Sequence, residues 1–216
     1  PQDTERPHSP GMTMAGASML WVGWYGFNAG SALAANGNAG MAMVVTHVAA
    51  ATAALTWMAV QWLDDRRPRL IGLVSGSIAG LAAITPASGF VGPIGALAIG
   101  LSAGAVCYFA ARIVKRTIDL DDSLDVFAVH GVGGTIGVVL VSFFAAGALG
   151  GLGLQVTVWH QLTVQILGAV ATIIWAGGLS YAIVKVTAAL VGLKVSTEAE
   201  AEGLDLAVHG EHGYSI

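Results

Sequence analysis

Apolar residues run along this chain in long stretches, separated by charged or Gly/Pro-rich breaks. The pattern predicts apolar helices over about 11–32, 39–62, 70–86, 91–112, 124–147 and 159–188. Each is near or above the roughly 17 to 25 residues that a helix needs to cross hydrocarbon. The third is the shortest and ends at Thr85-Pro86, where proline stops a helix. The expected fold is therefore all-α, a polytopic membrane helix bundle with six transmembrane helices over 11–193, a loop over 1–10 and a tail over 194–216.

Composition agrees with a lipid solvent. Of 216 residues, 55% are apolar and 10% are charged, against roughly 25% charged in an ordinary soluble domain. A chain this short of charge cannot cover a water-exposed surface. The positions of the cations then set the topology. Arg6 precedes the first apolar stretch, Arg66, Arg67 and Arg69 follow the second, and Arg112, Lys115 and Arg116 follow the fourth. Lys185 and Lys194 close the last, and the other three connections hold no cation. With six crossings, all nine lie on one face, which the positive-inside rule makes cytoplasmic. Lys185 sits near the inner end of its stretch, where a long side chain reaches the interface.

Glycine is abundant at 30 residues. Gly72, Gly76 and Gly80, Gly100 and Gly104, and Gly133 and Gly137 repeat at four-residue spacing, the small-xxx-small pattern that lets helix backbones approach closely. The single cysteine, Cys107, excludes an intrachain disulfide and is expected to fill space inside an apolar helix.

Few residues carry chemistry. His130, in DVFAVHGVGGTIG, lies inside the fifth stretch, where an ionisable group is costly and faces a cavity or a partner. Burial favours a neutral ring, with one nitrogen donating and the other accepting. Such a ring can pass a proton or bind a small polar solute, and a tie to a neighbouring helix carbonyl is the structural alternative. His47, in VVTHVAA, is read as structural, with Thr46 its one polar neighbour in the sequence, and His160 beside Trp159 as an interfacial anchor. His8, His209 and His212 lie in the polar ends, and none of the six histidines shows metal-ligand spacing. Trp24, Phe27 and Ser31 lie three and four residues apart and share a helix face. Aromatic faces with a hydroxyl one turn on can hold a cation, and an aromatic belt at the outer interface is the alternative. Gly26 and Gly30 beside them suggest a close backbone contact. Asp122 and Asp125 have the spacing of an N-cap and its N3 carboxylate, and Asp125 has an inner vestibule as its second reading. Asp64 and Asp65 beside three arginines are expected in a solvated loop.

The tail carries Glu198, Glu200, Glu202, Asp205 and Glu211, with too little apolar surface to span; disorder is its default, and the glycines and His209 give it a structured look. There is no nucleophile–base set, phosphate loop or cofactor motif, so an enzyme is not expected, nor a cofactor, a metal site or a nucleic-acid partner. The chain opens on Pro1 in a polar, proline-rich segment, and a fragment or a processed piece is the expectation.

WYGFNAGSA, SGSIAGLAAITPASGFVG, DDSLDVFAVHGVGG and the tail EGLDLAVHGE resemble, in order and spacing, the ammonium transporter (Amt/Mep/Rh) family, from about Pro7 to the end. The resemblance implies trimers of eleven-helix subunits, each with its own narrow hydrophobic pore between two inverted five-helix repeats. This chain then corresponds to helices 6–11, the second repeat plus the last helix. On that resemblance Phe27 is one ring of a stacked phenylalanine gate, Ser31 the hydroxyl of an outer ammonium site, and His130 one member of a twin-histidine pair. Val126 is an inner pore-lining position, Asp125 the acidic residue of the same motif, and Trp24 a packing tryptophan behind the gate. The second histidine, the second gate phenylalanine and the outer-site tryptophan belong to a first repeat that this sequence lacks. The implied function is passage of ammonium or ammonia across the cell (inner) membrane, with both chain ends in the cytoplasm. A missing N-terminal repeat, a homotrimer and a PII-type regulatory protein at the cytoplasmic face are the implied partners. An Rh-like gas channel and a non-transporting ammonium sensor are the alternatives; GFNAGSA and EGLDL…HGE favour the Amt side over the Rh side.

Overall fold

The computed structural model describes residues 9–117 and 122–212, apart from the side chain of Arg116. Arg6, His8, Asp121 and most of the loop expected over 1–10 lie outside the described residues. The chain divides into two compact units, residues 1–169 and residues 170–216.

The first unit holds α1 (Pro10–Gly30), α2 (Gly37–Asp65), α3 (Leu70–Ile84), α4 (Pro93–Arg116), α5 (Phe127–Phe144) and the first part of α6 (Val158–Leu190). Local chemistry sets the ends. Ser9 caps α1 ahead of Pro10, and the Asn36 side chain accepts from the N–H groups of Asn38 and Ala39 at 3.0 and 3.1 Å to start α2. Arg66 stops α2 in the left-handed region at φ 57°, and Thr85-Pro86 follows α3 as the sequence predicts. Gly92 and Pro93 open α4, with proline in the first turn, where its missing N–H costs nothing. α2, α4, α5 and α6 are each long and apolar enough to cross a membrane, and α3 is a shorter apolar helix. α1 has 21 residues, enough for the crossing length. Helices and turns make up the described residues, an all-α polytopic membrane bundle.

The bundle is built on backbone contact. Ala49, Ala50, Ala53 and Ala54 line one side of α2, buried between α3 and α4. A Cβ on Gly80 would stand 2.5 Å from the Ala49 carbonyl and 2.7 Å from Ala53 Cβ; one on Gly76 would stand 2.6 Å from Trp57 Cβ. From the other side, Gly100 and Gly104 would each place a Cβ 2.6 Å from a carbonyl, of Ala49 and Ala53 respectively. Gly137 of α5 closes on the Ala83 carbonyl of α3, Gly133 on Cys107 Sγ, and Gly72 on the Gln61 side chain. All seven glycines of the four-residue pattern sit at helix contacts. α3 is the innermost helix, with ten of its 15 residues buried. Cys107 is buried among Trp57, Ala79, Tyr108 and Val129, the filler position expected of it.

The two ends of this bundle differ in charge. At one end Arg112 of α4 pairs with Asp64 and Asp65 at the end of α2, Arg69 reaches Asp65 at 3.7 Å, and Lys115 reaches Asp125 at 2.8 Å. Tyr108 donates to Asp64 at 2.7 Å and accepts from Arg112 at 2.9 Å. Asp64 and Asp65 thus end a helix and tie it to α4, rather than lying in the solvated loop expected of them. At the other end the turns over 31–36, 85–92 and 145–157 are uncharged, and the Leu152 N–H donates to the Phe90 carbonyl at 3.0 Å.

In the second unit, the rest of α6 carries Lys185 over the Tyr181 ring at 5.4 Å. The tail is structured: α7 (Thr197–Glu202) is capped by Ser196, and a π-turn over Asp205–His209 lies between Gly203 and Gly210, both at positive φ. The Glu198 carboxyl is held below the usual carboxylate range by its own backbone N–H and the Ser196 hydroxyl at the start of α7.

Gly80→Ala and Gly104→Ala each push a methyl group into α2 backbone and are expected to cost about 1–3 kcal/mol. Gly40→Ala enters open space within α2 and is expected to raise stability by about 0.4–1 kcal/mol. Thermal unfolding in detergent micelles distinguishes them.

Candidate functional site

α1 positions three of the residues singled out in the sequence. The Trp24 indole N–H donates to Thr85 Oγ at 2.8 Å, and Thr85 in turn donates to the Leu81 carbonyl at 2.7 Å, so the ring is fixed to α3. Phe27 meets Trp24 edge to face, with ring centroids 6.3 Å apart, and is 62% exposed. Ser31, one residue past the end of α1, donates to the Phe27 carbonyl at 2.8 Å, which leaves its oxygen lone pairs free to accept. Trp24, Phe27 and Ser31 therefore form one cluster. An apolar groove of about 540 Å³ runs from it along α1, lined by Gly16, Met19, Leu20, Gly23, Trp24 and Phe27. The close contact expected at Gly26 and Gly30 is not made by this chain: a Cβ on either would meet open space.

The other three lie at the start of α5. Asp122 accepts from the N–H groups of Val126 and Phe127 at 2.8 and 2.9 Å, the capping role expected of it. Asp125 departs from the N3 position: the helix starts later than 124, and Asp125 precedes it with φ 56° and its carboxylate on Lys115. The first turn of the helix is a π-turn, Phe127–Val132, which contains His130. π-turns inside helices often mark functional sites. Ala128 and Val129 face the core at 0% and 3% exposure, whereas Val126 is 52% exposed and His130 is exposed. The imidazole thus stands on the side of α5 turned away from this chain's own core, at the surface rather than in it.

Three features were not legible in the sequence. The His47 ring has a partner on the next helix, Nδ1 lying 2.6 Å from the Tyr25 hydroxyl, with the Trp21 ring 5.4 Å away. Asn28 is buried and donates to Thr46 at 2.9 Å, which donates to the Ala42 carbonyl at 2.6 Å. The pair Lys115–Asp125 is the third. Tyr25 following Trp21 at i+4 was the available signal for the first. Trp159 meets Phe143 edge to face at 6.5 Å, and the His160 N–H is capped by Thr157. Among the described residues no group of three or more His, Cys, Asp or Glu side chains is placed to hold a metal ion.

Long apolar helices joined by backbone contact define a multi-pass membrane protein. Residues 2–214 match the profile of the Ammonium Transporter Family, and the chain belongs to that family. It is 47% identical over 211 residues to an ammonium transporter of Aquifex aeolicus (strain VF5), covering 97% of this chain and 50% of that one. Ammonium transporter Amt1 of Archaeoglobus fulgidus is 46% identical over 212 residues, 97% of this chain and 53% of its own. Among solved structures, a protein titled Sensor Amt Protein superposes with a TM-score of 0.87 at 34% identity, covering 93% of this chain and 49% of that one. Saccharomyces cerevisiae Mep2 superposes at 0.77 and 35% identity, over 86% and 46%. The chain spans about half the length of the curated relatives it matches.

Asp122→Ala removes both caps at the start of α5 and is expected to cost about 0.5–2 kcal/mol. Hydrogen exchange at Val126 and Phe127 should rise, while α3 stays protected; exchange at both residues unchanged from wild type would contradict the capping role.

Proposed function

We propose that this chain forms one wall of an ammonium-conducting passage, with a first repeat supplying the other. The single observation that carries this reading is the outward placement of His130: its neighbours Ala128 and Val129 are buried, and the imidazole is not. A histidine at membrane depth that turned to lipid would carry an unmet polar cost. A facing segment with polar partners removes it. Exposed Phe27 and the groove along α1 are the same kind of unfilled surface.

The chemistry follows from the residues. Outside, the ring faces of Phe27 and a facing aromatic attract ammonium, and the Ser31 oxygen accepts one of its N–H bonds. Dehydration then makes the cation expensive, so ammonium gives its proton to a water at the outer mouth and ammonia enters the apolar passage. His130 and a facing histidine bind the solute or relay the proton, each ring offering two nitrogens as donor or acceptor. Val126 lines the inner mouth. Trp24, held by Thr85, keeps Phe27 in place from behind. The charged end of the bundle is the cytoplasmic face of the cell membrane by the positive-inside rule, and the six helices then put both chain ends inside. We extend the reading to a homotrimer and to a PII-type protein that docks at the cytoplasmic face.

A sensor is the second reading, favoured by the superposition on a protein titled Sensor Amt Protein. Ammonium binding without flux in liposomes would select it. In the protein completed by a first repeat, His130→Ala should lower electrogenic ammonium uptake by an order of magnitude or change its selectivity. Unchanged currents and selectivity would remove His130 from the mechanism.

A further inference from the structure

We infer that Lys115 is a positioning residue for His130, acting through Asp125; this rests on the reading of His130 given above. Lys115 lies one residue before the end of α4, and Asp125 immediately precedes the turn that begins α5. Their charged atoms are 2.8 Å apart, and the Asp125 side chain is largely shielded, at 16% exposure. Asp125 holds φ at 56°, in the left-handed region that a residue with a Cβ adopts only at a cost. Such a conformation persists where the surroundings over-determine it, and the ammonium group of Lys115 is the restraint on its side chain.

The backbone at Asp125 matters because of what it starts. Its carbonyl accepts the Val129 N–H at 2.8 Å, one residue before His130. The Asp122 carboxylate is engaged by the N–H groups of Val126 and Phe127, so it fixes the same turn from the other side. If Asp125 relaxes to the right-handed region, its carbonyl swings away, the Val129 bond is lost, and the π-turn can revert to an ordinary helical one. Each residue of register rotates a helical side chain by about 100°, enough to carry the His130 ring off the face it now occupies. Lys115 therefore sets, from a different helix, the direction in which the imidazole points. Lysine is suited to this because its single ammonium meets one carboxylate oxygen as a point charge, and arginine at the same place keeps that charge.

The test uses two readouts. In the chain held in lipid nanodiscs, Lys115→Met should raise hydrogen exchange at Val129 and His130 by about tenfold as this turn opens locally, while α2 and α3 remain protected. Lys115→Arg should restore most of the protection. In an Asp125→Gly background, where the left-handed turn carries no strain and no carboxylate, Lys115→Met should have no further effect. In the protein completed by a first repeat, Lys115→Met should lower the maximal rate of ammonium uptake and leave the half-saturating concentration unchanged, with Lys115→Arg rescuing the rate. Wild-type exchange at Val129 and His130 in Lys115→Met overturns the proposal. So does raised exchange with intact uptake in a transporter that His130→Ala inactivates. If His130→Ala leaves uptake unaltered, the functional reading of His130 fails, and the exchange data still decide whether Lys115 sets the turn.

Discussion

In lipid, apolar side chains gain little by leaving their solvent for each other, so helices hold together by close packing and by the polar contacts that packing permits. Here the closeness comes from the alanine side of α2. Gly76 and Gly80 meet it from α3, Gly100 and Gly104 from α4, and each leaves no room for a methyl group. α1 and α5 are hung on this three-helix contact. α1 is tied to it by the Trp24–Thr85 and Asn28–Thr46 bonds, and α5 by the seats of Gly133 and Gly137.

That close-packed centre leaves one side of α5 and one side of α1 uncovered. α5 packs with Ala128, Val129, Gly133 and Gly137 inward, and the π-turn leaves His130 outward. α1 buries Asn28 and turns Phe27 out in the adjoining position. The two helices that carry the proposed passage residues are thus anchored on one side and open on the other. The ion pairs at the charged end tie α4 to α2 and to the start of α5, which joins the interfacial charge pattern to the geometry of the site.

Much of this was legible in the residues, for identifiable reasons. Long apolar runs and four-residue glycine spacing are direct statements about helices in lipid, and α3 ends where Thr85-Pro86 said it would. The capping role of Asp122 was readable from local spacing. Asp125 was misplaced because an N3 reading assumes an α-helix beginning near 124, and neither a left-handed residue nor a π-turn leaves a mark in apolar periodicity. Asp64 and Asp65 were misread for a related reason: their partner Arg112 lies on another helix, beyond any local window. The Tyr25–His47 and Lys115–Asp125 pairs were missed in the same way, being tertiary contacts between residues distant in the chain or separated by a turn.

What covers the exposed side of α5 decides whether that side lines a passage. An experimental structure of this chain assembled with a first-repeat segment in a lipid nanodisc measures it directly. The His130 ring and the Phe27 ring should both border a passage between the two segments, with a polar side chain of the facing segment within hydrogen-bond reach of the imidazole. An imidazole lying against acyl chains in that assembly, with α5 facing lipid, would contradict this placement.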